Sequence, residues 1–256
     1  MLSSLPAPII FAHRGASALA PENTLAAFLL AAEKGAPAIE LDVQLTRDQT
    51  VIVFHDTRLD RTTNGSGLIK SLTYTEIKNL NASFLFPDFP NEPIPTLDQV
   101  LEVIPEHILI NIELKNLHAP FDNLPSKTAS LIRKFGAQKR VLISSFNPIA
   151  LRSFNRSIPS VPLGRLIASS PKANVHSRIP PITEPYRSIH LNYKYLTPGM
   201  VARFRSAGKL VFCYTINQAD DMIAAVAMGI DGFFTDDPII ANRILTQQGL
   251  IEQHQG

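Results

Sequence analysis

The sequence predicts an α/β fold, a (β/α)8 TIM barrel with a short insertion after the second strand, on three observations. Eight apolar strand segments alternate with helical ones, the pattern of a parallel sheet, and eight is the number that closes such a sheet into a barrel. The chain has 256 residues, close to the typical barrel length of about 250. The polar strand residues Glu40, Asp42, Glu113, Lys115, His190 and Asn192 fall toward the C-terminal ends of their strands, opposite the aliphatic face, where barrel active sites form. A single domain over residues 1–256 is expected, with the insertion at about 57–95.

Taken in order, PIIFAHRG reads as a buried strand ending in a turn. A helix follows, with Asn23 as its expected N-cap, Leu25, Phe28, Leu29 and Ala32 on its inner face, and Gly35 to end it. AIELDVQL is the second strand, and its alternation puts Ala38, Glu40, Asp42 and Gln44 on one face and Ile39, Leu41, Val43 and Leu45 on the other. The chain then turns at Arg47-Asp48-Gln49 and returns through the apolar run VIVF to His55-Asp56. Thr57 to Pro95 is turn-rich, with one weak helical piece near Thr75–Leu80, and is too long for an ordinary connection. Thr96 and Gln99 spell a capping box that opens a helix to about Ile104. The third strand, ILINIELK, repeats the alternation, with Asn111, Glu113 and Lys115 on one face.

Beyond it come a helix over about Leu124–Phe135, the strand VLISSF, a helix capped by Asn147-Pro148, and the strand VPLGRLIA. The connection Ser169–Arg187 carries four prolines, Pro171, Pro180, Pro181 and Pro185, and reads as poor in helix. SIHLNY, LVFCYTI and GFFTDDP are the last three strands, followed by helices starting at Thr197-Pro198, Ala219 and Asp237-Pro238.

A net charge of +2 from 24 basic and 22 acidic residues, with no basic run, argues against a nucleic-acid partner. The one cysteine, Cys213, lies in LVFCY and reads as a small buried hydrophobe. MLSSLPAPIIFAH lacks the charged and apolar regions of a signal peptide, and no window reaches the eighteen or so apolar residues of a membrane span, so a cytoplasmic protein is expected, a monomer or small homo-oligomer.

If the second and third strands are neighbours, about 4.8 Å apart, then Glu40, Asp42 and Glu113 converge. Three carboxylates at one place need a cation or must hold protons. An all-oxygen site suits Mg²⁺ or Ca²⁺ rather than Zn²⁺, and the residues do not choose between the two. His13, Arg14, His55 and Lys115 add imidazoles and cations, a set that favours an anionic substrate such as a phosphate ester. Two histidines beside a metal can serve as general base and general acid. Each feature also has a plain structural reading. The acids could be a solvated strand face, and Arg14 and Lys115 could be internal ion partners. His190 and Asn192 could be satisfied members of a barrel layer, while His107, His118, His176 and His254 lie in connections or tails. Ser144-Ser145 has no nucleophile elbow around it, and Asn64-Gly65-Ser66-Gly67 reads as a tight turn.

HRGASALAPENT, AIELDVQLTRDQTVIVFHD, LDRTTNGSG, IPTLDQVL, INIELK, SSFNP and GIDGFFTDDP, in this order from about His13 to Pro238, resemble the glycerophosphodiester phosphodiesterase family. The resemblance implies a β/α barrel with an insertion after the second strand and divalent-cation-dependent hydrolysis of glycerophosphodiesters, such as deacylated phospholipids, to glycerol 3-phosphate and an alcohol. By resemblance His13 and His55 are the acid–base pair, Glu40, Asp42 and Glu113 the metal ligands, and Arg14 and Lys115 the phosphate-binding groups. Mg²⁺ is the expected ion, with Ca²⁺ as the alternative. The family's usual seventh-strand motif WTVN reads Tyr214-Thr215-Ile216-Asn217 in this chain, so Tyr214 is the expected aromatic wall for substrate, with an added hydroxyl. A mechanism proposed for the family has the substrate's own glycerol hydroxyl attack phosphorus, giving a cyclic phosphate that water opens. Two alternatives remain beside this reading: a lysophospholipase D-like phosphodiesterase acting at membranes, and a non-catalytic barrel that binds phosphorylated ligands.

Overall fold

The computed structural model describes residues 2, 5–87, 89–167 and 185–252. Its strands are β1 (Ile9–Ala12), β2 (Ala38–Leu45), β3 (Val51–Val53), β4 (Leu109–Leu114), β5 (Val141–Ser145), β6 (Leu163–Ile167), β7 (Ser188–Asn192), β8 (Leu210–Tyr214) and β9 (Gly232–Thr235). Eight of them are parallel and run β1-β9-β8-β7-β6-β5-β4-β2, and a β1–β2 pairing closes the ring. The expected barrel is therefore present. Its helices are α1 (Leu25–Glu33), α2 (Tyr74–Ile77), α3 (Leu97–Val103), α4 (Leu124–Lys134), α5 (Pro148–Ser157), α6 (Pro198–Ser206), α7 (Ala219–Ala227) and α8 (Pro238–Gln247). Most of the Ser169–Arg187 connection, with His176, and the tail residue His254 lie outside the described residues.

The alternation read in the strands separates two cores. Ile39, Leu41 and Val43 point outward and pack with Phe28, Val100 and Leu151 from the surrounding helices. The inward residues Ile9, Phe11, Ala38, Leu109, Leu142, Phe212 and Phe234 form a second cluster inside the barrel. There Phe11 stacks on Phe234 with centroids 4.7 Å apart and tilts against Phe212 at 5.1 Å. Each fully buried side chain of this size contributes roughly 1.5–3 kcal/mol, so the aromatic plug fixes the lower half of the barrel. Above it the inner face turns polar. The register pairs Glu40 with Asn111, Asp42 with Glu113, and Glu113 with Ser144.

Three local expectations need correction. Thr24, not Asn23, caps α1: its side chain accepts from the Ala27 N–H. Asn23 has φ 58°, whereas an N-cap needs an extended backbone. The buried face of α1 is Ala27, Phe28 and Ala31, and Leu29 is exposed. The segment LAAFLLAAE is apolar all round, so its composition carries little directional information. VIVF, expected only as an apolar return, supplies a ninth strand. Val51–Val53 forms the antiparallel strand β3 on the last three residues of β2, of which Gln44 and Leu45 run past the pairing with β4.

The stretch that follows is organised around its own apolar cluster of Ile52, Phe54, Leu59, Ile69, Ile77, Ala82 and Ile94. A capping box of Thr73 and Glu76 starts α2 within it, and a second one, Thr96 with Gln99, starts α3 as expected.

Candidate active site

All eight residues singled out in the sequence, His13, Arg14, Glu40, Asp42, His55, Glu113, Lys115 and Tyr214, line one cavity of about 210 Å³. Each arrives there for a local reason. Glu40 and Asp42 are inward positions of β2, and Glu113 is the inward residue of β4 paired with Asp42. His13 and Arg14 follow β1 directly. The β2–β3 hairpin returns the chain so that the Phe54 N–H donates to the Asp42 carbonyl at 2.9 Å, which sets His55 at the rim. Arg14 has φ 58°, a left-handed conformation that costs a non-glycine residue energy. That turn aims its backbone N–H at Glu40 Oε2, 2.9 Å away. Gly15 beside it, at φ 83°, could carry no side chain, because a Cβ would lie 2.6 Å from the Ala27 carbonyl carbon.

The carboxylates of Glu40, Asp42 and Glu113 offer ligand oxygens all within 4.8 Å of one another, and all three residues are buried. Burial, together with the charges of Asp42 and Glu113, raises the Glu40 carboxyl well above its ordinary value. Burial likewise pushes Glu113 up to about 7 despite Lys115. Burial would raise Asp42 too, but Lys115, His55 and Arg14, with a hydrogen bond from Asn23, hold it down to about 2. Glu40 and Glu113, driven toward protonation by burial and by neighbouring charge beside an ionised Asp42, form the environment a divalent cation relieves, and hard oxygen donors are what Mg²⁺ and Ca²⁺ take. The residues fit such an ion.

Two cations frame the acids. Lys115 Nζ lies 3.1 Å from Glu113 Oε1 and 3.5 Å from Asp42 Oδ1, and Arg14 Nε lies 3.4 Å from Asp42 Oδ2. Both histidines are held by the same device. His13 Nδ1–H donates to Asp236 Oδ1 and His55 Nδ1–H to Asp56 Oδ1, each at 2.7 Å. An ionised carboxylate only accepts, so in both rings Nδ1 is the donor and Nε2 is freed for proton transfer. Burial lowers the His55 imidazole even though the Asp42 carboxylate raises it.

Such a site has counterparts. Residues 13–240 match the glycerophosphoryl diester phosphodiesterase family. The chain belongs to that family. It is 39% identical over 232 residues to a glycerophosphodiester phosphodiesterase of Caldanaerobacter subterraneus subsp. tengcongensis, covering 90% of this chain and 94% of that one. Among solved structures it resembles an Oleispira antarctica phosphodiesterase in complex with the product sn-glycerol-3-phosphate, with a TM-score of 0.84, 31% identity, and 93% and 96% of the two chains covered. It also resembles a glycerophosphodiester phosphodiesterase from Agrobacterium tumefaciens str. C58, with a TM-score of 0.74, 31% identity, and 91% and 98% covered. Among the described residues of this family member no helix is long and apolar enough to cross a membrane.

Several residues in the site carry no catalytic or binding role in the sequence analysis, which reads Asn23 only as a helix cap. Asp236 holds His13, and Asn217 in turn donates to Asp236 Oδ2 at 2.6 Å. Arg61 donates to both oxygens of Asp56 and both oxygens of Glu22, while Glu22 also accepts from Arg14 at 2.9 Å. A single ionic chain thus joins the His55 anchor to Arg14. Asn23 donates to Asp42 Oδ2 at 3.0 Å and accepts from the Asp42 N–H at 3.2 Å. Glu22, Asn23, Arg61 and Asp236 are marked in the sequence only as polar groups in loops after strand ends, within APENT, LDRTTNG and TDDP, with nothing local that names their partners.

The Tyr214 ring lines the cavity, but its hydroxyl donates to the Ile167 carbonyl at 2.9 Å, so the group added relative to tryptophan anchors the ring to β6. Asn192 caps the short turn Tyr193–Tyr195, and Ser145 donates to the Leu114 carbonyl, both structural roles.

Proposed function

We propose that the protein is a metal-dependent phosphodiesterase that hydrolyses glycerophosphodiesters to sn-glycerol 3-phosphate and an alcohol. The observation that carries the reading is the pairing of two imidazoles, each tethered through Nδ1 to an aspartate, with three converging carboxylates in one cavity. Binding a phosphate would need neither histidine, and proton transfer needs both.

Glu40, Asp42 and Glu113 would hold the cation, Mg²⁺ in this proposal and Ca²⁺ as the alternative. When bound, the ion supplies positive charge to a phosphoryl oxygen, which stabilises the charge that builds there in the transition state. Arg14 and Lys115 bind the substrate's phosphate and orient it, since both cations border the same carboxylates. One histidine takes the proton of the attacking hydroxyl at Nε2 and the other gives a proton to the departing alkoxide, each worth roughly 10²–10⁴-fold in rate. Overall, phosphorus gains a bond to the oxygen of water as its bond to the headgroup oxygen breaks, one proton of water ending on the departing alcohol and the other staying on the phosphate product or passing to solvent. The Tyr214 ring forms a wall of the site.

The purified protein should release glycerol 3-phosphate from glycerophosphocholine or glycerophosphoethanolamine, and EDTA should stop it. His13→Ala and His55→Ala should each abolish turnover with the circular dichroism spectrum unchanged. No turnover with either metal across a headgroup panel would refute the reading, and binding without cleavage would favour a non-catalytic barrel. A single domain over 1–256, a monomer or small homo-oligomer, and a cytoplasmic location complete the proposal; limited proteolysis, light scattering and cell fractionation test them.

A further inference from the structure

The ionic chain between Arg14 and His55 has Glu22 at its middle. Glu22 Oε1 accepts from Arg14 at 2.9 Å and from Arg61 at 2.7 Å, and its Oε2 accepts a further bond from Arg61 at 2.7 Å. Arg61 turns its other edge to Asp56, with Nε 2.7 Å from Oδ2 and Nη2 3.2 Å from Oδ1. Asp56 Oδ1 in turn holds His55 Nδ1. Glu22 lies in the loop after β1 and Arg61 in the stretch after β3, so the path crosses between segments 39 residues apart.

The two guanidiniums that meet at Glu22 are held differently. Arg61 bonds two carboxylates through two edges of its fork, which fixes its orientation as an ammonium or a single bond would not. Asp56 then has both oxygens engaged, one by Arg61 alone and one by Arg61 and the imidazole together. Arg14 has a second hold, since its Nε lies 3.4 Å from Asp42 Oδ2 and its side chain is only 17% exposed. Burial would raise the Glu22 carboxyl, but Arg61 and Arg14 hold it below its ordinary value, so a negative charge stands between two positive ones. That charge steadies Arg61, and it also offsets part of the positive charge that Arg14 presents to an anion.

We propose that Glu22 is a positioning residue that sets His55 for proton transfer through Arg61 and Asp56 and, with the same carboxylate, moderates the grip of Arg14 on phosphate. The inference rests on the functional reading above and deepens it. A side chain that only supported the fold would affect both ends alike, whereas loss of the Glu22 charge should impair His55 and spare or strengthen phosphate binding.

The test is Glu22→Gln, which keeps the shape and removes the charge, assayed in saturating Mg²⁺. The kcat for glycerophosphocholine should fall by about tenfold or more. Calorimetry should find sn-glycerol 3-phosphate bound at least as tightly as by the unmodified protein. In an Arg61→Ala background the same substitution should change kcat by less than about twofold, because the path is already cut. The His55 ring gives a measure that needs no turnover. Its nitrogen NMR shifts should pass from those of the Nδ1–H tautomer to those of a tautomer mixture in Glu22→Gln and in Arg61→Ala, the second variant deciding if the first fails to fold. Product binding that weakens along with kcat, a kcat loss from Glu22→Gln that persists without Arg61, or an unchanged tautomer would each overturn the proposal. An unmodified protein that turns over no glycerophosphodiester would count against the phosphodiesterase reading, and the tautomer and binding measurements would still decide the role of Glu22.

Discussion

Replacing His190 with glutamine should change how stability depends on pH. The imidazole is fully buried, and burial pushes its pKa from the ordinary 6.5 down to about 3. Between those values the unfolded chain binds a proton that the folded chain does not. Stability therefore rises with pH there, and acidification removes it. Each pH unit below 6.5 should cost up to about 1.4 kcal/mol, with a ceiling near 5 kcal/mol by pH 3. That ceiling is comparable with the whole stability of many domains, about 5–15 kcal/mol. Above pH 6.5 the ring is neutral in both states and contributes no slope. The carboxylates titrate in the same window, so the quantity to read is the difference between protein and variant, in which shared groups cancel. Urea unfolding followed by circular dichroism from pH 7 to 4 measures it, and the chain's lack of tryptophan makes that signal the practical one. His190→Gln should flatten the curve by up to about 1.4 kcal/mol per pH unit. Parallel curves for the two proteins would show that the ring takes a proton in place, and would refute burial as the force that holds it neutral.

Arg61→Ala should lower kcat by about 10–100-fold by releasing Asp56, and with it His55, while costing no more than about 1 kcal/mol of stability because the side chain is 44% exposed; kinetics set against urea unfolding should separate the two effects, and an unchanged kcat would count against the ionic chain. Asn23→Ala should weaken Mg²⁺ or Ca²⁺ binding by about 10–100-fold, measured by calorimetry, because it strips Asp42 of both hydrogen bonds; an unaltered affinity would remove Asn23 from the site. Gly15→Ala forces a side chain onto the Ala27 backbone at φ 83° and should cost at least about 1–3 kcal/mol. A melting temperature within a degree of the unmodified protein would contradict that geometry.

The barrel was legible because its strands carry a period-two signal and their two faces differ in kind: aliphatic under the helices, acidic inside. That difference in Glu40, Asp42 and Glu113 survives any uncertainty about element ends. What could not be read is what long-range closure creates. Asp236 meets His13 across 223 residues, and no local pattern in TDDP announces the contact. Asn23 looked like a helix cap because asparagine favours that place, yet its left-handed backbone hands the cap to Thr24 and turns its amide to Asp42. VIVF was too short for periodicity to show that it pairs with β2. For His190 the sequence leaves a satisfied layer member and a substrate contact both open, and only coordinates show that one of its nitrogens has no partner among the described residues.

The small apolar nucleus packed around Ile69 and Ile77 stands apart from the cores of the cylinder. Units of this kind open with their own free energy. Arg61 rides on that unit while the imidazole it steadies through Asp56 lines the cavity proposed to carry the reaction, so warming should silence turnover before the cylinder itself melts. The working temperature of the protein would then be set at its rim, and tightening those few side chains should extend it, as thermal inactivation of turnover followed beside the circular dichroism melt would show.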